Sequence, residues 1–273
     1  MSKPFYCLLF LVLFISCSKE SKKPISTVIG CQIATIDHIN NGAAILHESC
    51  LYDNQGRVSK ININDNIGDS TYYIYEYQPG KISQTKKPNS RIFGNSFVFY
   101  LDSQNRITKS VESTAPGFSH NQTYTYDTNG YLSEVIEIDS NKDAKNIDSA
   151  LFSYGTNGNL NQIVHRQAAI YPPGNSISLS HYSTSFTQTN DPVTYLIGYE
   201  STLESYEDIS FHQVISKYLG KGPVNSIAAY TQTYNGNETI NYSYTKDAKG
   251  NILSMTETGP GRTDTYNFTY NCQ

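Results

Sequence analysis

The sequence predicts an all-β protein: an antiparallel meander of about 16–18 strands, built from hairpin repeats, that curls into a barrel-like or flattened shell. Three observations predict it. The chain is rich in residues that suit pleated, half-buried surfaces, with 23 tyrosines and 11 phenylalanines among 273 residues. No segment after the N-terminal region has sustained helical periodicity. A short motif with tyrosine, aspartate and glycine also recurs along the chain.

The N-terminal region has the pattern of a lipoprotein signal. Lys3 precedes an apolar run from Leu8 to Ile15, which is too short to span a bilayer as a helix and is typical of a secretory signal. The run ends in Phe14-Ile15-Ser16-Cys17, which resembles a bacterial lipobox and predicts a lipid on Cys17 that anchors the chain to a membrane. We therefore expect a signal peptide at 1–16, a flexible tether at 17–30 and a repeat β-domain at 31–273.

Of the five cysteines, Cys7 lies in the signal peptide and Cys17 is the expected lipid site, so the remaining three can form at most one intramolecular disulfide. The stretch from Cys31 to Cys50 predicts a hairpin with Asn40-Asn41-Gly42 at its tip. If Asn40-Asn41 is the two-residue loop, Cys31 lies opposite Cys50. We therefore expect a Cys31–Cys50 disulfide, with Cys31–Cys272, which would tie the chain ends together, as the alternative. The cysteines lack the close paired spacing of a metal site.

The repeats become visible when the chain is aligned on Gly130. The aligned copies are CLYDNQGRV (50–58), YEYQPGKI (75–82), FYLDSQNRI (99–107), YTYDTNGYL (124–132), FSYGTNGNL (152–160) and YSYTKDAKGNI (242–252). The first five turn positions are separated by 24, 25, 25 and 28 residues, and 186–193 and 218–224 are interpreted as degenerate copies. The predicted turn residues are Asp53, Gly56, Gly80, Asn105, Asp127, Gly130, Gly158 and Gly250.

Each copy predicts a hairpin. Asp127 suits the first position of a type I turn, and Gly130 suits the left-handed position that closes a three-residue loop. Counting outward from this loop, Tyr126 faces Leu132 and Tyr124 faces Glu134. Further turn residues between the copies return the chain at the other end, so each repeat contributes two strands. The equivalents of the first pair are Tyr52 with Val58, Leu101 with Ile107 and Tyr154 with Leu160.

This repeated pattern resembles the YD (RHS-type) repeats, whose hairpins join into one continuous β-sheet shell. Together with the lipobox and the C-terminal YNFTYNCQ, it is similar to a family of Bacteroidetes-type lipoproteins with a porin-like β-fold. The resemblance covers roughly residues 31–272. It implies the fold and a location in the cell envelope, most readily the outer membrane, but it implies no activity and supplies no catalytic residue.

Composition and motifs argue against several functions. The net charge is −4 without a basic block in the folded part, which argues against nucleic acid as a partner. The six histidines lack the helical spacing of zinc hydrolases, and we expect neither a cofactor nor a metal. Strands such as 106–113 and 159–166 offer no uniformly apolar face, which argues against a barrel wall embedded in lipid.

Three clusters resemble functional sites but have a simpler interpretation. Ser119 and His120 lack the second glycine of a nucleophile elbow and fit a turn. Asp139, Asn141 and Asp143 alternate as in a calcium loop, but Ala144 and Ala150 occupy its glycine and glutamate positions, which favours a solvated turn. The third cluster, which we interpret as an exposed charged edge, comprises Glu200, Glu204, Glu207 and Asp208.

The leading functional hypothesis is a non-enzymatic envelope lipoprotein that binds a glycan, peptide or protein on its sheet. The alternative is a purely structural or assembly component of the envelope. A glycan hydrolase that uses two carboxylates of the acidic cluster, such as Glu204, is the least favoured.

Overall fold

A computed structural model describes residues 31–87, 96–113, 118–140, 145–171, 176–192, 214–233 and 237–272. These residues form sixteen β-strands and a single helical turn at 214–216, so the predicted all-β meander is confirmed. Within these ranges, no helix is both long and apolar enough to cross a membrane. The strands are β1 (Gln32–Asn40), β2 (Ala43–Tyr52), β3 (Val58–Asp65), β4 (Ser70–Gln78), β5 (Lys81–Lys87), β6 (Ser96–Leu101), β7 (Ile107–Ser113), β8 (Ser119–Tyr126), β9 (Leu132–Ser140), β10 (Lys145–Tyr154), β11 (Leu160–Tyr171), β12 (Ser176–Pro192), β13 (Asn225–Gln232), β14 (Glu238–Lys246), β15 (Ile252–Gly259) and β16 (Arg262–Asn271).

The sheet closes into a barrel. Every strand pairs antiparallel with its neighbour in the chain, and β16 pairs with β1 to complete the ring. Closure leaves none of the sixteen described strands at an edge, which satisfies the backbone groups that an open sheet would expose. Inward-facing side chains from strands around the whole ring form one apolar core, among them Ile36, Ile61, Phe99, Leu132 and Ile163.

The first hairpin differs from the prediction, and so does the disulfide. Asn40 pairs with Ala43, so the loop is Asn41-Gly42, with φ values of 46° and 83°. These two positive φ angles are those of a type I′ turn, and asparagine followed by glycine adopts them at little cost. The loop therefore lies one residue later than expected, and a bulge after His38 moves the register further.

Cys31 consequently does not meet Cys50, and the predicted Cys31–Cys50 disulfide is wrong. Cys31 is bonded to Cys272, which joins the start of β1 to the end of β16 beside the seam of the barrel. Cys50 is a free, buried cysteine, and burial raises the pKa of its thiol to about 12.

Five of the six repeat turns share the predicted three-residue geometry; the exception is Pro79-Gly80, a two-residue loop between the paired residues Gln78 and Lys81. At Asp127, the Gly130 amide donates to the Asp127 carbonyl, and the Asp127 carboxylate Oδ1 accepts from the amides of Asn129 and Tyr131, each at 2.9 Å. The closing residue has positive φ, as at Gly130 (88°) and, with asparagine in place of glycine, at Asn105 (60°). The same amide-to-carboxylate bonds occur at Asp53, Asp102 and Asp247. Positive φ also occurs at Gly56, Gly80, Gly158 and Gly250.

A bulge follows the first cross-strand pair of these hairpins. Tyr126 pairs with Leu132 as predicted, but Thr125 then pairs with Glu134, so Ser133 is the extra residue. Its hydroxyl donates to the Thr125 carbonyl at 3.0 Å. Tyr124 therefore faces Val135, and the predicted pair with Glu134 is wrong because counting from the turn omits the bulge. The first pairs predicted in three other repeats are confirmed, each followed by a shift of register: Tyr52 with Val58, Leu101 with Ile107 and Tyr154 with Leu160.

The repeat tyrosines join neighbouring hairpins. Five tyrosine hydroxyls each donate, at 2.7–2.8 Å, to a backbone carbonyl of the preceding hairpin. Each of these carbonyls lies beyond the residues through which its strand pairs with the next strand of the sheet. Where Leu101 replaces tyrosine, the backbone pairing of β5 with β6 instead extends to the turn, and the Leu101 amide donates to the Gly80 carbonyl. The five donor and acceptor pairs are Tyr52 to Ile33, Tyr77 to Val58, Tyr126 to Ile107, Tyr244 to Ile227 and Tyr270 to Ile252.

The two segments interpreted as degenerate repeats are not hairpins. Residues 186–192 lie within β12, and 193 lies outside the described residues. Residues 214–224 cross the end of the barrel at which the repeat turns lie, with Val214, Ile215 and Leu219 buried in the core. This crossing segment forms one wall of a groove at the same end of the barrel.

Candidate functional site

A groove of about 450 Å³ lies at the turn end of the barrel. Its walls are the turns of two successive repeats, around Asn105 and around Asp127, and the crossing segment from Lys217 to Lys221. This volume falls in the range of small-ligand sites. The predicted turn residues Asn105, Asp127 and Gly130 therefore share one concave surface, whereas the other predicted turn residues do not line it.

Backbone hydrogen bonds hold the crossing segment in place. The Ile107 amide donates to the Tyr218 carbonyl, and the Lys221 amide donates to the Gly130 carbonyl, each at 2.8 Å. Gly220 is required at the crossing, because a Cβ there would lie 2.5 Å from the Gly130 carbonyl oxygen and its φ is +76°. The lysines of the segment are thus fixed beside the Asp127 turn.

Asp127 differs from the other repeat aspartates in its outer carboxylate oxygen. In two turns this oxygen, Oδ2, accepts from the arginine four residues later, as in Asp53 with Arg57 and Asp102 with Arg106. Four residues after Asp127 stands Tyr131, whose ring instead stacks on Tyr154 with 4.6 Å between the ring centres. No described residue donates a hydrogen bond to Asp127 Oδ2, which is therefore available to a ligand in the groove.

The other groups of the groove are also polar. Gln104, Asn105 and Asn129 expose side-chain amides, and Lys217 and Lys221 expose ammonium groups. The Lys221 ammonium lies 5.6 Å from the Tyr131 ring centre. Amides, a carboxylate and ammonium groups can donate to and accept from a hydroxyl-rich ligand. The lining carries a single aromatic residue, Tyr218.

A second polar cluster lies inside the barrel at the opposite end of β8 and β9. His120 pairs with Asp139 across these strands, and its Nδ1 lies 2.6 Å from Asp139 Oδ1. Its Nε2 lies 3.7 Å from Glu137 Oε2, and its Nδ1 lies 3.7 Å from Glu112 Oε2 on β7. The imidazole is thus surrounded by three carboxylates.

A third network lies between β1, β15 and β16. Asp264 Oδ1 accepts from the Asn40 amide at 2.7 Å and lies 3.0 Å from His38 Nε2. Burial opposes ionisation of Asp264, but the hydrogen bonds with Asn40 and His38 outweigh it and lower its pKa. Burial raises the pKa of Glu257 despite the ion pair with Arg262. Arg262 supplies positive charge to this network.

The weaker sequence-predicted sites have separate outcomes. Ser119 and His120 lie at the start of β8, so the predicted turn at these residues is wrong. Ser119 bonds to Ser140 Oγ at 2.7 Å while His120 faces the interior, so the two do not form a catalytic pair. Asp139 lies beside His120, but Asn141 and Asp143 lie outside the described residues. Cys17 and the acidic cluster at 200–208 also lie outside them.

Sequence reasoning missed the lysines of the crossing segment and the available oxygen of Asp127. One signal could have revealed the latter, because the residue four positions after the turn aspartate is Arg57, Arg106 or Asn251 elsewhere and Tyr131 here. The sequence does not indicate that the lysines line a groove, because the pattern of 218–224 predicts a further repeat hairpin.

Comparisons with known proteins bear on the fold. The model of a family described as "Domain of unknown function (DUF4595) with porin-like fold" matches residues 51–254. No curated protein matches the chain. A porin-like protein from Bacteroides uniformis ATCC 8492 is 16% identical, with a TM-score of 0.58 over 88% of this chain and 98% of its own. A porin-like protein from Bacteroides vulgatus ATCC 8482 is 10% identical, with a TM-score of 0.61 over 89% and 99%. At these identities the similarity shows the fold alone.

Proposed function

Because the chain belongs to the family described as a domain of unknown function (DUF4595) with porin-like fold, whose description names no reaction, we propose that it is a non-enzymatic glycan-binding lipoprotein of the bacterial envelope. The observation that carries this proposal is the groove at the turn end, with the unengaged Oδ2 of Asp127. A glycan presents many hydroxyl groups, and the groove presents carboxylate, amide and ammonium groups that can bond to them.

The composition of the groove favours a glycan over a protein partner. Binding sites for proteins depend on aromatic and other large anchors that become fully buried at the centre of the interface. Among the described lining residues, Tyr218 is the one aromatic side chain. The remaining groups suit the edges of sugar rings.

Export and lipid attachment at Cys17 are part of the proposal. They are supported by the signal-like residues 1–16 and by the Cys31–Cys272 disulfide, since such bonds persist in oxidising compartments. They predict that the mature protein carries a lipid on Cys17. Mass spectrometry of the N-terminal peptide, with Cys17→Ser as the control, tests this point.

The outer face of the barrel favours attachment of the protein to the membrane by a lipid over insertion of the barrel into the membrane. Hydroxyl pairs line the outer face from β13 through β16 to β1, and apolar side chains face inward. A lipid-spanning barrel has the reverse pattern, with an apolar band outside. The hydroxyl pairs are Thr231 with Thr239, Thr245 with Ser254, Thr256 with Thr265 and Thr35 with Thr269.

The test is a glycan array with the purified protein, followed by titration of the glycans that bind. Asp127→Asn keeps the oxygen that accepts the turn amides and replaces only the outer oxygen. A lost charge-assisted hydrogen bond weakens binding by about 10- to 100-fold. Asp247→Asn is the matched control in a distant repeat and leaves affinity unchanged. An array without ligand, or equal affinity in Asp127→Asn, contradicts the proposal.

One observation favours the structural alternative. The hydroxyls of five repeat tyrosines donate to backbone carbonyls, so the motif stabilises the barrel and does not bind a ligand. If neither the array nor a pull-down from envelope extracts yields a specific partner, a structural or assembly role is the better account.

A further inference from the structure

We propose that His120, Glu137 and Asp139 form a binding site for a divalent transition-metal ion of the zinc type inside the barrel. One ligand atom from each residue lies within 4.8 Å of the others. The ligand atoms around a tetrahedral Zn²⁺ lie about 3.3–3.5 Å apart. Side-chain rotations that move each ligand atom by about 1 Å therefore bring the three atoms to the distances that the ion requires. This site is independent of the groove, because His120 lies six positions before Tyr126 on β8, a distance of about 20 Å.

The register of β8 and β9 places the ligands together. His120 is directly opposite Asp139, and Gln122 is directly opposite Glu137, so all four side chains lie on the inner face of two paired strands. Strands hold side chains more rigidly than loops do, which limits the entropy lost when an ion binds. The site is therefore built by the sheet.

Glu112 supplies a fourth potential ligand from β7. Its Oε2 lies 3.7 Å from His120 Nδ1, and its side chain is only 8% exposed. An ion bound by the three proposed ligands retains one open position, which Glu112 or a water can fill. The ion would then link three consecutive strands, β7, β8 and β9.

A second layer of hydrogen bonds orients Glu137. The Gln122 amide donates to Glu137 Oε2 at 2.7 Å, and the Gln122 carbonyl oxygen accepts from Ser110 Oγ and from the Tyr124 hydroxyl. Ser110 and Tyr124 are both buried in the core. Partners of this kind fix metal-ligating carboxylates in metalloproteins, and their removal weakens binding by about 10- to 100-fold.

The donor set selects the ion. Imidazole nitrogen with carboxylate oxygens suits Zn²⁺, whereas Ca²⁺ and Mg²⁺ take oxygen ligands alone. The other histidine–carboxylate pairs lack the set. His47 Nδ1 lies 2.6 Å from Asp37 Oδ1, but both side chains are nearly half exposed and no third described ligand is near. Beside His38 and Asp264, the guanidinium of Arg262 already supplies positive charge.

The experiment is calorimetric titration of chelator-treated protein with ZnCl₂, with metal counted by mass spectrometry after desalting. We expect one ion per chain, no binding in His120→Asn, and a loss of about 10- to 100-fold in Gln122→Leu. His47→Asn, the matched control, binds as wild type. Co²⁺ should give a visible absorption spectrum that His120→Asn lacks.

Two results overturn the proposal: no uptake of Zn²⁺ by the wild-type protein, or uptake by His120→Asn with unchanged affinity and stoichiometry. Circular dichroism checks that each variant is folded. If His120→Asn does not fold, Asp139→Asn replaces it, because that side chain is 41% exposed and its loss costs the core little. Wild-type affinity in that variant is equally decisive.

Discussion

Removal of one hydroxyl, in Tyr126→Phe, isolates the role of the repeat tyrosine. The ring stays in place, so the packing on Leu132 and the stacking of Arg106, whose guanidinium carbon lies 4.4 Å from the ring centre, are kept. The hydroxyl's hydrogen bond to the Ile107 carbonyl, at 2.7 Å, is lost together with its longer contact with the Tyr218 carbonyl, at 3.4 Å.

The expected loss of stability in Tyr126→Phe follows from the surroundings of the Ile107 carbonyl. Ile107 is fully buried, and the pairing of β7 with β8 covers only Lys109–Val111, so β8 provides no backbone donor at this point. A buried acceptor left without its donor costs about 1–3 kcal/mol. For a domain of this size each kcal/mol lowers the midpoint of thermal unfolding by about 2–4 °C.

The assay is equilibrium unfolding in urea with the disulfide intact. Tyr100→Phe is the matched control, because Tyr100 is 43% exposed on the outer face, and its free energy of unfolding should change by less than about 0.5 kcal/mol. If Tyr126→Phe is as stable as Tyr100→Phe, the hydroxyl does not close the gap between the hairpins and the reasoning fails.

Three further predictions concern the cysteines and the tyrosines. Cys272→Ser, which opens a cross-link over 241 residues, should lower stability by up to about 5 kcal/mol in urea unfolding, and reduction should destabilise the wild type but not this variant. Cys50, whose pKa burial raises to about 12, should resist iodoacetamide at neutral pH until the protein unfolds; fast labelling of the folded chain would contradict its burial. Burial raises the pKa of Tyr126 and Tyr244, so the stability they contribute is present below their ordinary pKa near 10 and is lost as pH rises through the folded value. The phenol absorbance that is lost in Tyr126→Phe or in Tyr244→Phe should therefore appear together with loss of circular dichroism, whereas its appearance near pH 10 in an intact fold would refute this.

The turns and the first pair of each hairpin could be predicted because they depend on local chemistry. Asp127 and Gly130 specify a loop whose geometry requires no partner from elsewhere in the chain. The number and direction of the strands followed from the repeat, since consecutive hairpins without helices can only form an antiparallel meander. Barrel closure did not follow from the repeat, which left a barrel-like or a flattened shell open, because closure depends on the pairing of β1 with β16.

Register beyond the first pair could not be predicted. Without the bulge at Ser133, His120 would lie opposite Ile138, since counting from the loop pairs positions that sum to 258. The bulge raises this sum to 259 and places His120 opposite Asp139. A shift of one residue exchanges the two faces of a strand, so the interior cluster was invisible from sequence spacing. The same kind of error, in the first hairpin, produced the wrong disulfide.

Closure of the ring between β1 and β16 has a consequence for folding kinetics. Fifteen of the sixteen strand pairings join neighbours in sequence, and the sixteenth joins strands more than two hundred residues apart. Loop-closure entropy makes such a contact slow to form, so we expect it to limit the folding rate. A circular permutant that links 31 to 272 and opens the chain in the Asp127 turn keeps every strand pairing, but it transfers this last step to β8 and β9. The position of the slow step is thus a property of connectivity and not of the barrel itself.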